Sequence, residues 1–188
     1  LDCIHRTGPE SAIPMNAARI LRGQATEDTA GMWELMLCDT PLEAAISRVK
    51  ELKGQSEDCQ LLVQTNRARL YANKQLQPLF NPVPPSDNTC IERDGGKCPW
   101  IVGDAVINLA NIYDACELKV CNGQLGKIEE IHAGTHFDVV FENGVKQRFS
   151  AKTLDVDHAY AITIHKFQGS ETNNVVLLLD NVDLHQSR

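Results

Sequence analysis

A proline-rich break divides the chain into parts of different character. Three of the four residues in Pro82-Val83-Pro84-Pro85 are proline. Because proline fixes φ and has no backbone N–H, this run cannot continue a helix or lie in a central strand. Before the break the sequence alternates helical patterns with short apolar runs, and after it the sequence has a β character. We therefore place a domain boundary at about residues 81–88.

The part before the break reads as α/β. Thr40-Pro41-Leu42-Glu43 has the pattern of a capping box with proline at the first helical position, and Gly54 supplies the helix stop. Residues 60–65 form an apolar run typical of a buried strand. Asn66 is the expected N-cap of a second helix that continues to about Phe80. Strand followed by helix with short connections predicts an α/β domain.

The part after the break, residues 87–153, predicts a small β-barrel. Asn122-Gly123 and Asn143-Gly144 each supply the positive φ that a tight hairpin turn needs. Several short strands in fewer than 70 residues are typical of a small closed barrel. The side chains expected to face its interior are Trp100, Val106, Val139 and Phe141. Phe137, Val139 and Phe141 alternate with polar or exposed positions, as in a half-buried strand.

The last part returns to the α/β pattern. Residues 159–164 predict a buried strand, residues 165–171 a polar loop, and residues 175–179 a second buried strand. The predicted fold is thus an α/β domain made of residues 1–86 and 154–188, interrupted by the β-barrel of residues 87–153.

Composition limits the partners and the compartment. The chain has 18 basic and 25 acidic residues, a net charge of −7, which excludes binding to nucleic acid through a broad basic face but not a local phosphate site. Seven cysteines at irregular spacing favour a reducing, cytoplasmic setting over a disulfide framework. The start of the chain lacks the apolar core of a signal peptide, and no apolar run approaches the length of a membrane helix.

A zinc site is the alternative use of the cysteines. Cys90, Cys98, Cys116 and Cys121 all lie in or near the predicted barrel. Structural zinc sites place paired ligands two to four residues apart, and these spacings are looser. We therefore expect free thiols and no bound metal.

The loop at residues 165–171 carries the densest cluster of functional side chains. It follows the carboxyl end of a predicted parallel strand, where open α/β sheets bind ligands. Lys166 offers a charge for phosphate, Thr163 and Ser170 offer hydroxyl groups, and Gly169 allows close approach of the backbone. The alternative interpretation is a solvated turn whose polar groups only satisfy the loop backbone.

Four segments, in order, resemble superfamily 1 DNA helicases of the RecD/TraA type. The sequence AYAITIHKFQGSE at residues 159–171 is similar to their motif V, and LDCIHR at residues 1–6 is similar to the segment that carries the motif IV arginine. Residues 60–82 resemble the opening of the second RecA-like domain. Residues 102–126 resemble the small Src-homology-3-like barrel inserted in that domain.

The resemblance implies roles for individual residues. Arg6 would be catalytic, reaching the γ-phosphate of ATP as an arginine finger, although it could be an ordinary surface arginine. Gln168, Gly169 and Glu171 would join Arg6 at the nucleotide. The residues implied at DNA are Thr65, Asn66, Thr163, His165, Lys166 and Ser170. The implied cofactors of the longer protein are ATP and Mg²⁺. The implied partners are single-stranded DNA, a preceding RecA-like domain, and helicase or nuclease subunits in recombination and repair.

Two departures from the family pattern affect the expected activity. Phe167 and Thr172 replace the usual serine and the usual aromatic or aliphatic residue of motif V. The 188 residues also lack a Walker A loop, so we expect no ATP hydrolysis by this chain alone. Residues 175–180 resemble a Walker B strand, because they form an apolar run that ends in a carboxylate. We interpret this segment as a core strand. The alternative function is an inactive RecA-like and β-barrel module that binds nucleic acid or protein.

Overall fold

The computed structural model describes residues 12–27, 38–55, 59–86, 89–93, 98–168, 170 and 172–179. The chain forms two compact units, Leu1–Asp39 and Thr40–Arg188. The first unit contains helix α1 (Ala12–Leu21). The side chain of Asn16, fully buried, exchanges hydrogen bonds with the backbone of Glu27, and Arg19 forms an ion pair of 2.8 Å with the Glu27 carboxylate. These contacts hold the segment after α1 against the helix.

A three-stranded parallel sheet forms the α/β part of the second unit. Its strands are β1 (Cys59–Val63), β11 (Ala161–Thr163) and β12 (Asn174–Leu178), with β1 in the centre. Helices α2 (Pro41–Gly54) and α3 (Asn66–Phe80) pack on one face and bury apolar residues against Leu61, Val63 and Leu178. The α/β prediction for this part of the chain is confirmed.

Three local predictions in this part are wrong. The N-cap of α3 is Thr65, whose hydroxyl accepts from the Ala68 N–H at 3.2 Å, and not Asn66. Ile164, predicted to end the strand, and residues 165–167, predicted as loop, form the helical turn α4 (Ile164–Phe167). Strand β12 is not fully buried, because it lies at an edge of the described sheet and leaves Val175 and Leu177 about half exposed. The α2 helix begins as predicted, although Thr40 makes no side-chain capping hydrogen bond.

The strands between α3 and β11 form antiparallel sheets. In chain order they are β2 (Cys90–Ile91), β3 (Trp100–Ile101), β4 (Ala105–Asn108), β5 (Ile112–Asp114), β6 (Glu117–Val120), β7 (Leu125–His132), β8 (His136–Phe141), β9 (Lys146–Ser150) and β10 (Val156–His158). The main sheet has the order β10-β4-β7-β8-β9, while β2-β3 and β5-β6 pair separately. Trp100, Val106, Phe137, Val139 and Phe141 are all buried in its core, as predicted.

The closed barrel is not confirmed. The two edge strands of the main sheet, β9 and β10, do not pair with each other in the described part of the chain, so the sheet is open there. The Asn143-Gly144 turn joins the paired strands β8 and β9, and Gly144 has a φ of +79°. The Asn122-Gly123 turn is not a hairpin turn, because β6 and β7 belong to different sheets. The helices of the described residues are too short and too polar to span a membrane.

Candidate nucleic-acid interface

The carboxyl ends of β1 and β11 lie side by side, and the side of the sheet that they form is called the candidate DNA edge below. Val63 and Thr163 are direct partners in the ladder, so the segments that follow both strands start side by side. Thr65 and Asn66 follow β1, and both are exposed. The α4 turn follows β11. This edge is where open parallel sheets bind ligands.

The α4 turn presents polar side chains around one buried aromatic residue. His165 and Gln168 are exposed, Lys166 and Ser170 are half-buried, and Thr163 is only 7% exposed. Phe167 is buried with Leu62, Ile107 and Ile162 on the face of the sheet opposite to α2 and α3. The phenylalanine that departs from the family pattern is therefore a core residue, and it anchors the turn to the sheet.

Among the described residues, Lys166 has no carboxylate partner. It makes no ion pair with a described residue, since the nearby carboxylate of Asp157 is held by Arg69 at 2.5 Å. Burial lowers the pKa of Lys166, the charge of Arg69 lowers it further, and Asp157 partly opposes both effects. An anion beside Lys166 would favour its charged form. The local charge at this edge therefore suits a phosphate, despite the negative charge of the whole chain.

Arg69 and Asn73 connect α3 to this edge. Arg69 Nε donates to the Asn66 side-chain oxygen at 3.2 Å, which orients the exposed amide. The Asn73 amide donates to the Ala161 carbonyl at 2.9 Å and accepts from the Ala161 N–H at 3.0 Å. Asn73 is 2% exposed. These bonds hold β11, and hence the start of α4, in place. Sequence analysis missed both residues, and the available signal was a polar pair at core positions of a helix.

The strands between α3 and β11 are called the insert below, and the turn that precedes its strand β7 approaches α4. Gly123 has a φ of +88°, and a Cβ built on it would lie 3.6 Å from the Lys166 carbonyl oxygen. The turn is braced from within, because the Gly123 N–H donates to the Asn108 carbonyl and the Asn122 N–H donates to Asn111 Oδ1, each at 2.8 Å. The Asn122-Gly123 turn therefore forms one wall beside the candidate interface.

The Asp104 carboxylate joins the insert to the α/β part. It is fully buried and accepts from the Ile101 N–H, Gln77, Asn81 and the Tyr160 hydroxyl at 2.8–2.9 Å, and His158 Nε2 lies 3.1 Å away. Burial raises the pKa of this carboxyl, but hydrogen bonds from His158, Asn81 and Ile101 outweigh burial and lower it. Burial and the adjacent carboxylate raise the pKa of Tyr160. Sequence analysis did not identify Asp104 as a structural centre.

The cysteines do not come together as a zinc site would require. The six described cysteines are free thiols. Within the described ranges, the metal-type ligands that cluster are Glu130, His132 and Asp138. Asp138 in that cluster is already bound by Arg148 at 2.7 Å.

Of the residues implied by the family resemblance, the described ones share one edge. Thr163 is the last residue of β11, and the other residues lie in the two segments that follow β1 and β11: Thr65, Asn66, His165, Lys166, Gln168 and Ser170. Arg6, Gly169 and Glu171 lie outside the described residues. The residues implied at DNA therefore lie close together. Of the residues implied at the nucleotide, Gln168 is the one within the described part of the chain.

Comparison with known proteins finds similarity to RecD-type helicases. The ATP-dependent RecD2 DNA helicase of Deinococcus radiodurans is 27% identical over 183 residues, covering 94% of this chain and 24% of that protein. The RecBCD enzyme subunit RecD of Mycobacterium tuberculosis is 31% identical over 85 residues, covering 45% of this chain and 14% of that protein. The chain is similar in sequence to RecD-type superfamily 1 helicases. It resembles their carboxy-terminal portion and spans about a quarter of the length of RecD2.

Other comparisons add less. No family model matches the chain. Among solved structures, Bacteroides sp Pif1 in complex with ADP-AlF4 aligns with a TM-score of 0.47 and 18% identity over 93% of this chain and 44% of that chain. Pif1 helicase from Candida albicans aligns with a TM-score of 0.40 and 12% identity over 74% of this chain and 47% of that chain.

Proposed function

We propose that this chain supplies the single-stranded DNA contacts of the second RecA-like domain of an ATP-dependent, RecD-type DNA helicase. In this proposal the strands between α3 and β11 are the Src-homology-3-like insert of that domain. The longer protein would couple ATP hydrolysis to movement along single-stranded DNA. It would work with a preceding RecA-like domain and with other helicase or nuclease subunits in recombination and repair.

One observation carries the proposal. The register between Val63 and Thr163 sets two polar segments side by side at the carboxyl edge of the sheet, and Lys166 has no described carboxylate partner there. His165 and Lys166 supply donors for phosphate oxygens, and Thr65 and Asn66 supply neutral polar groups. Because phosphate contacts carry no base information, we expect binding with little sequence preference.

The affinity should be modest and moderately dependent on salt. A net charge of −7 means that the overall field of the chain opposes DNA, so binding depends on a few directed contacts. We expect dissociation constants on the order of 10⁻⁴ to 10⁻⁶ M. Neutralisation of two or three phosphates on a single strand gives a log–log salt slope of about −1.4 to −2.1.

The described residues do not form a nucleotide site by themselves. Of the implied set, Arg6, Gly169 and Glu171 lie outside the described part, and Gln168 offers an exposed amide. The 188 residues contain no Walker A loop, whose backbone amides and lysine provide most of the phosphate affinity for ATP. ATP and Mg²⁺ therefore belong to the proposal for the longer protein, and we assign no hydrolytic step to this chain.

Fluorescence anisotropy with a labelled oligothymidine tests the proposal. The double substitution His165→Ala and Lys166→Ala should remove most binding and flatten the salt slope. The matched control is His136→Ala with Lys152→Ala, which removes one exposed histidine and one exposed lysine from the insert. If the control pair abolishes binding and the first pair has no effect, the binding surface is elsewhere and the chain is better described as an interaction module.

A further inference from the structure

A cavity of about 730 Å³ lies at the amino ends of β1 and β11, whereas the α4 turn follows the carboxyl end of β11. Its wall includes Cys59 and Gln60 at the start of β1, and Ala159 and Tyr160 just before β11. Strands β4, β7 and β8 of the insert complete it. The cavity is thus separated from the candidate DNA edge by the length of the strands, and nothing in the family resemblance assigns it a role.

Gln60 is a polar side chain of the cavity wall. The side chain is 8% exposed, and its Nε2 donates to the carbonyl oxygens of Leu61 and Ala159 at 3.2 Å each and of Tyr160 at 3.4 Å. No described residue donates a hydrogen bond to its Oε1. An amide oxygen on a cavity wall can accept a hydrogen bond from a ligand that brings an N–H group.

Aromatic rings form the apolar part of the wall. The rings of Phe80 and Tyr160 are tilted at 50° with centroids 5.7 Å apart, and Phe141 lies across the cavity on β8. Val49 and Val106 also line the cavity. A planar ring is the ligand group that such a wall accommodates best.

Three charged side chains stand on the cavity wall. Lys53 lies over the Phe80 ring, with Nζ 4.0 Å from the centroid, and Lys127 and Glu142 complete the set. Neither lysine forms an ion pair with a described residue. Burial lowers the pKa of Lys53, and the charge of Lys127 lowers it further. Among the described residues of the lining, the two ammonium groups exceed the one carboxylate, so their charges favour an anion.

We propose that this cavity binds a nucleoside monophosphate. Its phosphate would lie between Lys53 and Lys127, its base against Phe80, and an amino group of the base would donate to Gln60 Oε1. The cavity volume lies within the range of small-molecule sites. This site is separate from the ATP site implied for the longer helicase and does not depend on the proposed DNA contacts.

Isothermal titration calorimetry of the full chain with AMP tests the proposal. We expect saturable binding with a dissociation constant between about 10 µM and 1 mM. Adenosine, inorganic phosphate and purine riboside 5′-monophosphate, which lacks the amino group, should each bind at least about fivefold more weakly. Absence of saturable AMP binding would overturn the proposal. If inorganic phosphate binds with the same affinity as AMP, the proposed base contacts are wrong. If purine riboside 5′-monophosphate binds with the same affinity as AMP, the proposed role of Gln60 is wrong.

Charge substitutions at the rim separate a specific site from a general effect. Lys127→Gln should weaken AMP binding about tenfold, and Glu142→Gln should tighten it severalfold; both residues are exposed, so both variants should fold. The control is Lys50→Gln, an exposed lysine of α2 that does not line the cavity. If Lys50→Gln weakens binding as much as Lys127→Gln, the site is elsewhere. The His165→Ala, Lys166→Ala variant should still bind AMP, which distinguishes failure of this proposal from failure of the DNA proposal.

Discussion

The hydroxyl group of Tyr160 donates a hydrogen bond of 2.9 Å to the carboxylate of Asp104. Tyr160 immediately precedes β11, and Asp104 immediately precedes β4 of the insert. Gln77 and Asn81 donate to the same carboxylate from α3 and from the residue that follows it. One side chain therefore links the helix, the insert and the strand that leads to the candidate DNA edge.

Asp104→Asn should destabilise the fold by about 2–3 kcal/mol, because an amide cannot accept from all of these buried donors. Urea unfolding followed by circular dichroism measures the loss. The control is Asp155→Asn, an exposed carboxylate near β10, which should change stability by less than about 0.5 kcal/mol. Equal effects of the two substitutions would show that the buried network contributes little.

The stability of the fold should fall in acid through Asp138. Hydrogen bonds from Arg148 lower the pKa of this carboxyl most strongly; burial opposes them, and His132 lowers it further. A carboxyl whose pKa is lowered in the folded state stabilises the fold above its unfolded value of about 3.9, and this contribution is lost as pH falls towards the folded value. Urea midpoints of the wild type should therefore decrease below about pH 4.

Asp138→Asn is the matched test of that pH dependence. The variant should be less stable than wild type at pH 7, and the difference should shrink as pH falls below about 4, because protonation removes the same charge from the wild type. A difference that stays constant with pH would assign the acid sensitivity to other carboxyl groups.

Gly126→Ala should destabilise the insert by about 1–3 kcal/mol. A Cβ at this position would lie 2.8 Å from side-chain atoms of Phe141 and Val139 and 2.9 Å from the Val140 carbonyl oxygen. The strand must therefore shift to accommodate it. Thermal unfolding measures the effect. Gly54→Ala is the control, since no atom lies within 4 Å of the added Cβ at the end of α2, and the midpoint of that variant should not decrease.

Asn73→Ala should weaken both the fold and DNA binding. It removes both hydrogen bonds to Ala161, which leaves buried backbone groups without these partners at a cost of about 2–3 kcal/mol. Because these bonds position the start of α4, the anisotropy titration should also show weaker binding at a temperature where the variant is folded. Lys74→Ala, the exposed neighbour, should leave the free energy of unfolding nearly unchanged.

Local patterns in the sequence were sufficient to predict the elements with clear periodicity. Helix α2, strand β1, helix α3 and the alternating strand β8 all lie where apolar spacing and turn residues place them. The cap of α3 was misassigned because Thr65 and Asn66 are adjacent and both are good capping residues. The α4 turn was missed because four residues are too few to show a helical period.

Features that depend on distant partners could not be predicted in the same way. The burial of β12 depends on whether another strand lies beside it, and closure of the insert depends on which edge strands pair. Asp104 and Asn73 are single polar residues whose importance comes from donors and acceptors up to 88 positions away. The candidate DNA residues were found only because their motif is continuous in sequence, and their placement beside Thr65 required the register of two distant strands.

The central strand of the parallel sheet pairs with a strand made much later in synthesis. Leu61 of β1 is opposite Ala161 of β11, and the whole insert lies between them in the chain. During translation β1 must remain unpaired on that side until β11 has emerged, while the hairpins β7-β8 and β8-β9 can form from neighbouring residues. An insert that folds early shortens the loop that must close and so reduces its entropic cost. Early folding of the insert would therefore favour formation of the sheet that holds the candidate DNA edge.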